Sequence, residues 1–367
     1  MKNIIPFFNY QYLYKKEKRK IDKVIQDVLK RGAYILQEDL KKFEKNAANF
    51  IKAKHLIGVA NGTDAMILGF KAFGVKKDDE IIIPSHTYIA TAAAIKLVGA
   101  KPILCECLED GMMDPSDIEK RITKKTIAIM PVQLNGRCCD MDRIIKIAKN
   151  NSLKVFEDAA QGYGSKYKNR YAGTFGLFGT ISFYPAKLLG CYGDGGAVVT
   201  NDDNFARKIK LLRDHGRDKK GNIIEWGFNS RLDNLQAAIL DLKLKTYYKD
   251  ILKRRKIASF YQKKLGSIKK LILPPQPTTK VNFDVYQNYE IQCERRNGLK
   301  KYLEKNGVRT LIQWNGKAVH QIKPLRLKSN LKFTDKYFNK CLMLPMNTSL
   351  TSKELRKIVR LIQKFYD

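Results

Sequence analysis

Two periods of hydrophobic spacing alternate along the chain from about residue 21 to residue 200. Apolar residues at helical spacing predict helices over 21–29 and 38–50. A short apolar run over 55–60 reads as a strand, after which Asn61-Gly62 turns the chain into a helix reaching 73. Further strands are predicted over 80–84, 102–107, 127–133, 154–157, 180–183 and 197–200, the one over 154–157 ending at Asp158. Helices over 91–98, 114–122 and 141–148 separate them, the second opened by Asp114-Pro115. Short apolar runs alternating with helices argue for an α/β chain, its mostly parallel mixed sheet flanked by helices. In such sheets ligands sit outside the carboxyl ends of the strands. The residues just after the strands are therefore expected to carry the chemistry.

The pattern changes after Gly227. Residues 233–265 read as one long helix or two joined end to end, and 274-PPQP-277 punctuates the chain after it. A strand over 286–293, a helix over 298–305, a strand over 308–312 and a terminal helix over 352–365 follow. This divides the chain into a large domain at 1–244, with an N-terminal helical segment, and a smaller C-terminal α+β domain at 245–367.

Composition sets the outer limits. A chain of 367 residues can bury a sizeable core, and 44% hydrophobic residues exclude a disordered or collagen-like chain. No apolar run approaches a membrane span, and residues 1–20 hold no apolar signal core, so the expected address is the cytoplasm. The seven cysteines form no CxxC pair and read as reduced, packed thiols; with four histidines, no metal site is expected. Seventy Lys and Arg against 36 Asp and Glu leave a net charge of +34. The densest stretches, 15-KKEKRK-20, 253-KRRK-256 and 299-LKKYLEK-305, each read as the wet face of a helix. No RNA-binding aromatic motif, zinc finger or basic heptad accompanies the charge, so neither nucleic acid nor membrane is an expected partner. Attraction of an anionic substrate is compatible with it.

Four strand-end loops stand out. In 61-NGTDA-65, Gly62 allows close backbone approach, and Thr63 at a helix start offers a hydroxyl and free amides to an anion, or caps the helix. In 157-EDAAQ-161 a strand ends on Asp158, placing a carboxylate deep at the sheet edge, where it needs a cationic or hydrogen-bonding partner. In 181-ISFYPAKLLGCYGDGGAVVTND-202 a strand delivers Ser182, and Lys187 then sits among apolar groups and four glycines. Desolvation there lowers an amine's pKa and makes it a usable nucleophile. The fourth, 227-GFNSRLDNLQAAIL-240, opens the long helix, with Asn229 and Arg231 just before a cap at Asp233. Together these are the protein side of an electron-sink cofactor.

The segments EDAAQ, SFYPAK and GDGGA, in this order, resemble the DegT/DnrJ/EryC1/StrS sugar aminotransferases, fold type I pyridoxal phosphate enzymes, over nearly the whole chain from about Arg31. The resemblance implies pyridoxal 5′-phosphate as cofactor. It casts Lys187 as the Schiff-base lysine and Asp158 as the partner of the pyridine nitrogen. Gln161 would bond the phenolic oxygen and Tyr88 stack on the ring. Gly62, Thr63 and Ser182 would bind the phosphate. Asn229 would reach the phosphate of a neighbouring subunit, because the family builds its sites across a homodimer interface. L-glutamate would donate the amino group and a nucleotide-linked keto sugar accept it, for surface glycan or lipopolysaccharide synthesis. Tyr184, Arg231, Gln313, Trp314 and His320 are the expected substrate contacts, with structural hydrogen bonds an equal reading for Arg231 and His320.

The form FYPAKLLGCYGDGG is similar to the branch that aminates C-3 ketones of UDP- or dTDP-linked hexoses, above all UDP-linked 2-acetamido-3-keto sugars; a C-4 aminotransferase is the nearest competitor. Family members with uronic acid substrates commonly carry a His-Tyr pair within the segment that here reads 310-TLIQWNGKAVH-320. This chain has Gln313-Trp314-Asn315, which leaves uronic acid, neutral hexose and 6-deoxyhexose open. Lys187 argues against the family's dehydratases, which place histidine there. A nonenzymatic regulator on this fold and a nucleic-acid-binding protein are the remaining rivals.

Overall fold

The computed structural model describes residues 4–277, 280–327 and 329–367. Two N-terminal helices, α1 (Tyr10–Arg31) and α2 (Glu38–Phe50), lead into β1 (His55–Val59) and α3 (Gly62–Phe73). β2 (Glu80–Pro84), α4 (Ile89–Leu97), β3 (Lys101–Cys105), α5 (Pro115–Arg121), β4 (Thr126–Ile129), α6 (Met141–Asn150) and β5 (Lys154–Asp158) follow in strict alternation. After a short hairpin of β6 (Lys166–Tyr167) and β7 (Arg170–Tyr171) come β8 (Phe178–Ser182), β9 (Gly196–Thr200) and α7 (Asp203–Leu212). The seven main strands form one sheet in the order β1-β9-β8-β5-β4-β2-β3, in which β9 alone runs against the others. The expected mostly parallel sheet is therefore present.

Strand alternation divides the core between two faces. Leu56, Ile82, Ile129 and Val199 pack with Leu40 and Phe43 of α2 and Ile144 of α6. Ile57, Ile81, Ile83 and Val198 pack on the other side with Leu68 of α3, Ile95 of α4 and Ile209 of α7. Both sheet faces are covered, which is why strands such as β1, β2 and β9 read as mainly apolar runs rather than as alternating ones.

The long helix, α8 (Asn234–Leu265), is continuous and carries the chain from one core to the next. Its Leu240, Tyr247 and Ile251 belong to the first core, whereas Ile257, Tyr261 and Leu265 pack in another with Ile291, Leu299 and Ile358. The expected division at 244/245 falls inside this helix. Beyond it lie β10 (Leu271–Ile272), β11 (Asn282–Phe283), β12 (Tyr289–Cys293), α9 (Arg296–Lys305), α10 (Lys332–Lys340), β13 (Cys341–Leu344) and α11 (Ser352–Tyr366). A small antiparallel sheet runs β10-β12-β13.

Several elements differ from the expectation. Residues 308–312 form no strand: Val308 bridges Ile5 and Leu311 bridges Met343, so the stretch is split between two partners and builds no ladder. The structure adds α7, α10 and β13, and the two-residue strands β6, β7, β10 and β11, which the hydrophobic pattern did not predict. α1 begins at Tyr10, eleven residues before the predicted start at 21, because its lysine-rich first half stays exposed and carries no apolar stripe. All seven cysteines are free and buried, as expected. Among the described residues no helix is long and apolar enough to cross a membrane.

Candidate active site

The carboxyl ends of β1, β2, β5 and β8 open onto one cavity of about 780 Å³. Gly62, Thr63, Tyr88, Asp158, Gln161, Ser182, Tyr184, Lys187, Gln313 and Trp314 all line it. Ten of the expected site residues, from Gly62 to Trp314, thus meet in one place.

One wall is an anion cradle. Asn61 ends the turn after β1 and its side chain accepts from the Asp64 amide (2.8 Å), which caps α3. The amides of Gly62 and Thr63 have no acceptor among the described residues and point out of the helix start. Ser182 stands beside them: a Cβ on Gly62 would lie 3.1 Å from the Ser182 Cβ. Glycine is needed here because the two chain segments approach this closely. The Ser182 oxygen accepts from the Tyr184 amide (3.3 Å) and keeps its own proton for a ligand.

Asp158 lines the same cavity. Two adjacent carboxylates end β5, and strand alternation sends them to opposite faces. Glu157 turns away and accepts the Gly173, Phe175 and Gly176 amides and the Gln133 side chain, a structural anchor for the 173–176 turn. Asp158 faces the cavity. Its Oδ2 accepts from Thr91 Oγ1 (2.7 Å) and its Oδ1 from the Ala160 amide (3.1 Å). Burial raises its pKa, and the Thr91 and Ala160 hydrogen bonds and the nearby Lys187 charge only partly offset that.

Lys187 lines the same cavity. Its amide donates to the Tyr184 carbonyl (2.8 Å), closing a turn, and Gly190 packs so tightly that a Cβ there would meet the Pro185 and Tyr184 carbonyls at 2.7 and 2.8 Å. Burial pulls the amine down to about 8, against the pull of Asp158. Gln161 accepts the Asn135 amide (2.9 Å) and Asn288 Nδ2 (3.3 Å) on its Oε1. With its oxygen so engaged, its Nε2 is left as a donor to the cavity. Tyr88, just before α4, is half exposed and lies 6.4 Å from the Trp314 ring.

The remaining expected residues lie elsewhere in this chain. Arg231 pairs with Asp214 (2.8 Å). His320 is held between Ser85 Oγ (2.7 Å) and Asp335 (2.9 Å). Both make structural pairs and neither lines the cavity. Asn229 is exposed, on a hairpin that Asp214–Asn229 and Arg217–Ile223 bridges hold together. The sequence reasoning missed Thr91, Asn135, Gln287 and Asn288. Thr91 was legible as a hydroxyl inside a predicted helix facing the strand ends; the other three carry no local signal.

These groups fit pyridoxal phosphate. A buried carboxylate with spare lone pairs suits a pyridinium N–H, a cradle of free donors suits a phosphate, and a desolvated amine lines the same cavity. The comparisons agree. The model of the DegT/DnrJ/EryC1/StrS aminotransferase family matches residues 15–363. The chain is 38% identical to the UDP-2-acetamido-2-deoxy-3-oxo-D-glucuronate aminotransferase of Pseudomonas aeruginosa, over 97% of this chain and 98% of the relative. Among solved structures it is similar to Streptomyces venezuelae DesV in complex with a ketimine intermediate (TM-score 0.95, 33% identity, 99% of each chain). It is similar also to a Bacillus subtilis protein with bound cofactor PMP (TM-score 0.91, 29% identity, 99% of this chain and 86% of that one). The chain belongs to the DegT/DnrJ/EryC1/StrS aminotransferase family and is a pyridoxal-phosphate-dependent transaminase.

Proposed function

We propose that this protein moves an amino group from L-glutamate to the keto carbon of a nucleotide-linked 3-keto hexose, for glycan or lipopolysaccharide synthesis. The observation that carries the reading is that Lys187 and Asp158, with the Gly62–Thr63–Ser182 cradle, face one cavity. Pyridoxal phosphate, when bound, supplies an electron sink for charge developing on the carbon next to nitrogen. Asp158 holds a proton at the ring nitrogen, deep in the cavity where water does not compete. Gly62, Thr63 and Ser182 hold the phosphate, and Gln161 Nε2 donates to the phenolic oxygen. Lys187 Nζ, close to half neutral at pH 8, takes the proton from the donor's α carbon and hands it on.

Two features support an anionic, nucleotide-linked acceptor. A groove of about 830 Å³ shares Phe8, Leu311 and Ile312 with the cavity and carries Arg309, which has no ion-pair partner among the described residues. A guanidinium there suits a diphosphate. Relatives of this chain include the UDP-N-acetyl-3-dehydro-alpha-D-glucosamine 3-aminotransferase of Acidithiobacillus ferrooxidans, 34% identical over 93% of the chain and 92% of the relative. The reading extends to a homodimer with Asn229 reaching the partner's phosphate: its hairpin leaves Trp226 97% exposed and Ile223 62% exposed in the single chain.

The test is a screen of keto-sugar nucleotides with glutamate, following 2-oxoglutarate and locating the new nitrogen by NMR. Borohydride fixation of pyridoxal phosphate should label Lys187. Failure of every keto sugar, or a label on another lysine, would overturn the reading.

A further inference from the structure

Gln287 brackets the catalytic lysine. Its Nε2 donates to the Ala186 carbonyl (2.9 Å) and its Oε1 accepts from the Leu188 amide (2.7 Å), so one buried amide engages the peptide groups on both sides of Lys187. A second layer fixes Gln287 itself. Arg254 Nη1, reaching from α8, donates to the main-chain carbonyls of Tyr286 (2.9 Å) and Gln287 (2.6 Å). Arg254 is 7% exposed and has no carboxylate partner within ion-pair distance among the described residues. An unpaired buried cation is costly, and here it serves to hold two carbonyls. Tyr286 adopts φ +53°, an uncommon backbone for a bulky residue, and such strain collects where a side chain must be aimed.

The lysine's four-carbon stem is flexible. Its aim depends on where its backbone is held, and the Tyr184 carbonyl and Gly190 fix only the large-domain side of that loop. We infer that Gln287 is a positioning residue for amino transfer, locking the Lys187 peptide so that Nζ stays directed between Asp158 and the phosphate cradle. This rests on the reading that Lys187 carries the cofactor. Because Asn288, the next residue, donates to the Gln161 side chain, one short segment of the C-terminal half sets two of the groups that face the cofactor.

The test compares the full chain with Gln287→Met, which keeps the length without hydrogen bonds, and Gln287→Glu, which keeps the shape. Gln287→Met should lower kcat about 10- to 100-fold, the range for a reacting group displaced by a fraction of an ångström to one ångström. KM for glutamate should change less than about threefold, since both ends of the Gln287 amide are engaged by the Ala186 and Leu188 peptide groups rather than free for a ligand. In the cofactor-free chain, hydrogen exchange at the Leu188 amide should quicken while the strands of the main sheet keep their protection. In Gln287→Glu the ionised carboxylate still accepts from Leu188 but repels the Ala186 carbonyl; protonation restores a donor. Its deficit relative to the unmodified chain should therefore narrow as pH falls from about 8 towards about 5, whereas that of Gln287→Met stays constant. A purely structural link would show no such rescue.

Unchanged kcat and unchanged Leu188 exchange in Gln287→Met would overturn the inference. Should that variant fail to fold, a pH-independent deficit in Gln287→Glu would do the same. Absence of a borohydride label at Lys187 in the unmodified chain would instead overturn the functional reading, and the exchange measurement would still decide the clamp.

Discussion

Asp158 and Lys187 face the same cavity, and each opposes the effect of burial on the other. Burial pushes the Asp158 carboxyl up and pulls the Lys187 amine down to about 8, and at both sites burial outweighs the partner's charge. The pair is therefore tuned for a cofactor rather than for each other. An amine titrating near 8 is a competent nucleophile at neutral to mildly alkaline pH, and a carboxylate left under-compensated has room for an N–H cation.

That tuning destabilises the cofactor-free chain. The unfolded lysine titrates near 10.5 and the folded one near 8, so between these values the unfolded chain binds more protons and stability rises with pH. Below pH 8 the folded chain carries a buried ammonium. Lys187→Met should accordingly melt at a higher temperature than the unmodified chain at pH 7. The gap should shrink as pH rises from 8 and close above 10.5. Melting curves of both proteins without cofactor check this, and a gap independent of pH would contradict it.

Asp158→Asn keeps acceptor capacity but removes the charge that holds a proton on the ring nitrogen. Turnover should fall about 10²- to 10³-fold, the loss typical of removing one preorganised electrostatic group. Cofactor should still bind, visible as the retained absorbance of the holoprotein. A rate equal to that of the unmodified enzyme would remove Asp158 from the mechanism.

Thr91→Val deletes the shorter of the two hydrogen bonds to the Asp158 carboxylate. The folded carboxyl pKa is already raised by burial, so losing a bond to the ionised form raises it further. The acid limb of the kcat profile should move to higher pH, with a stability loss of about 1–2 kcal/mol at neutral pH. A profile that superimposes on the unmodified one would show that Thr91 does not hold the charged carboxylate.

Ser182→Ala removes a hydroxyl from the anion cradle. Affinity for pyridoxal phosphate should weaken about 10- to 100-fold, the value of one hydrogen bond to a charged group. Affinity for pyridoxal, which lacks the phosphate, should not change. Equal weakening for both compounds would place Ser182 elsewhere than at the phosphate.

What the chain's own order of residues determined was the sheet and the loops at its edge. Strands such as β1, β2, β4 and β9 are short, mainly apolar runs flanked by turn residues, and Asn61-Gly62 follows β1, Asp158 ends β5 and Lys187 lies in the loop after β8. That information is local, so spacing and turn chemistry suffice to read it. Local signals were also present for α7, where Asp202 accepts from the Phe205 amide as an N-cap, and went unread because no strand followed to frame the helix. β13 follows α10 without a turn, and its four residues are all buried, so although Pro345 closes it, no breaker opens it and no alternation announces it.

Tertiary structure alone decided how the groups are aimed. Nothing in 157-EDAAQ-161 tells which carboxylate faces the cavity; the register of β5 against β8 does, turning Glu157 towards Gly173 and Asp158 towards Thr91. Arg231 and His320 looked equally suited to substrate or to structure, and packing assigned each a carboxylate partner away from the cavity. Gln287 and Asn288 lie far along the chain from Lys187 and Gln161, and they meet them only because α8 folds the C-terminal half back over the sheet edge. A side-chain amide holds a distant peptide group through geometry of a few ångströms, and no one-dimensional pattern encodes that distance.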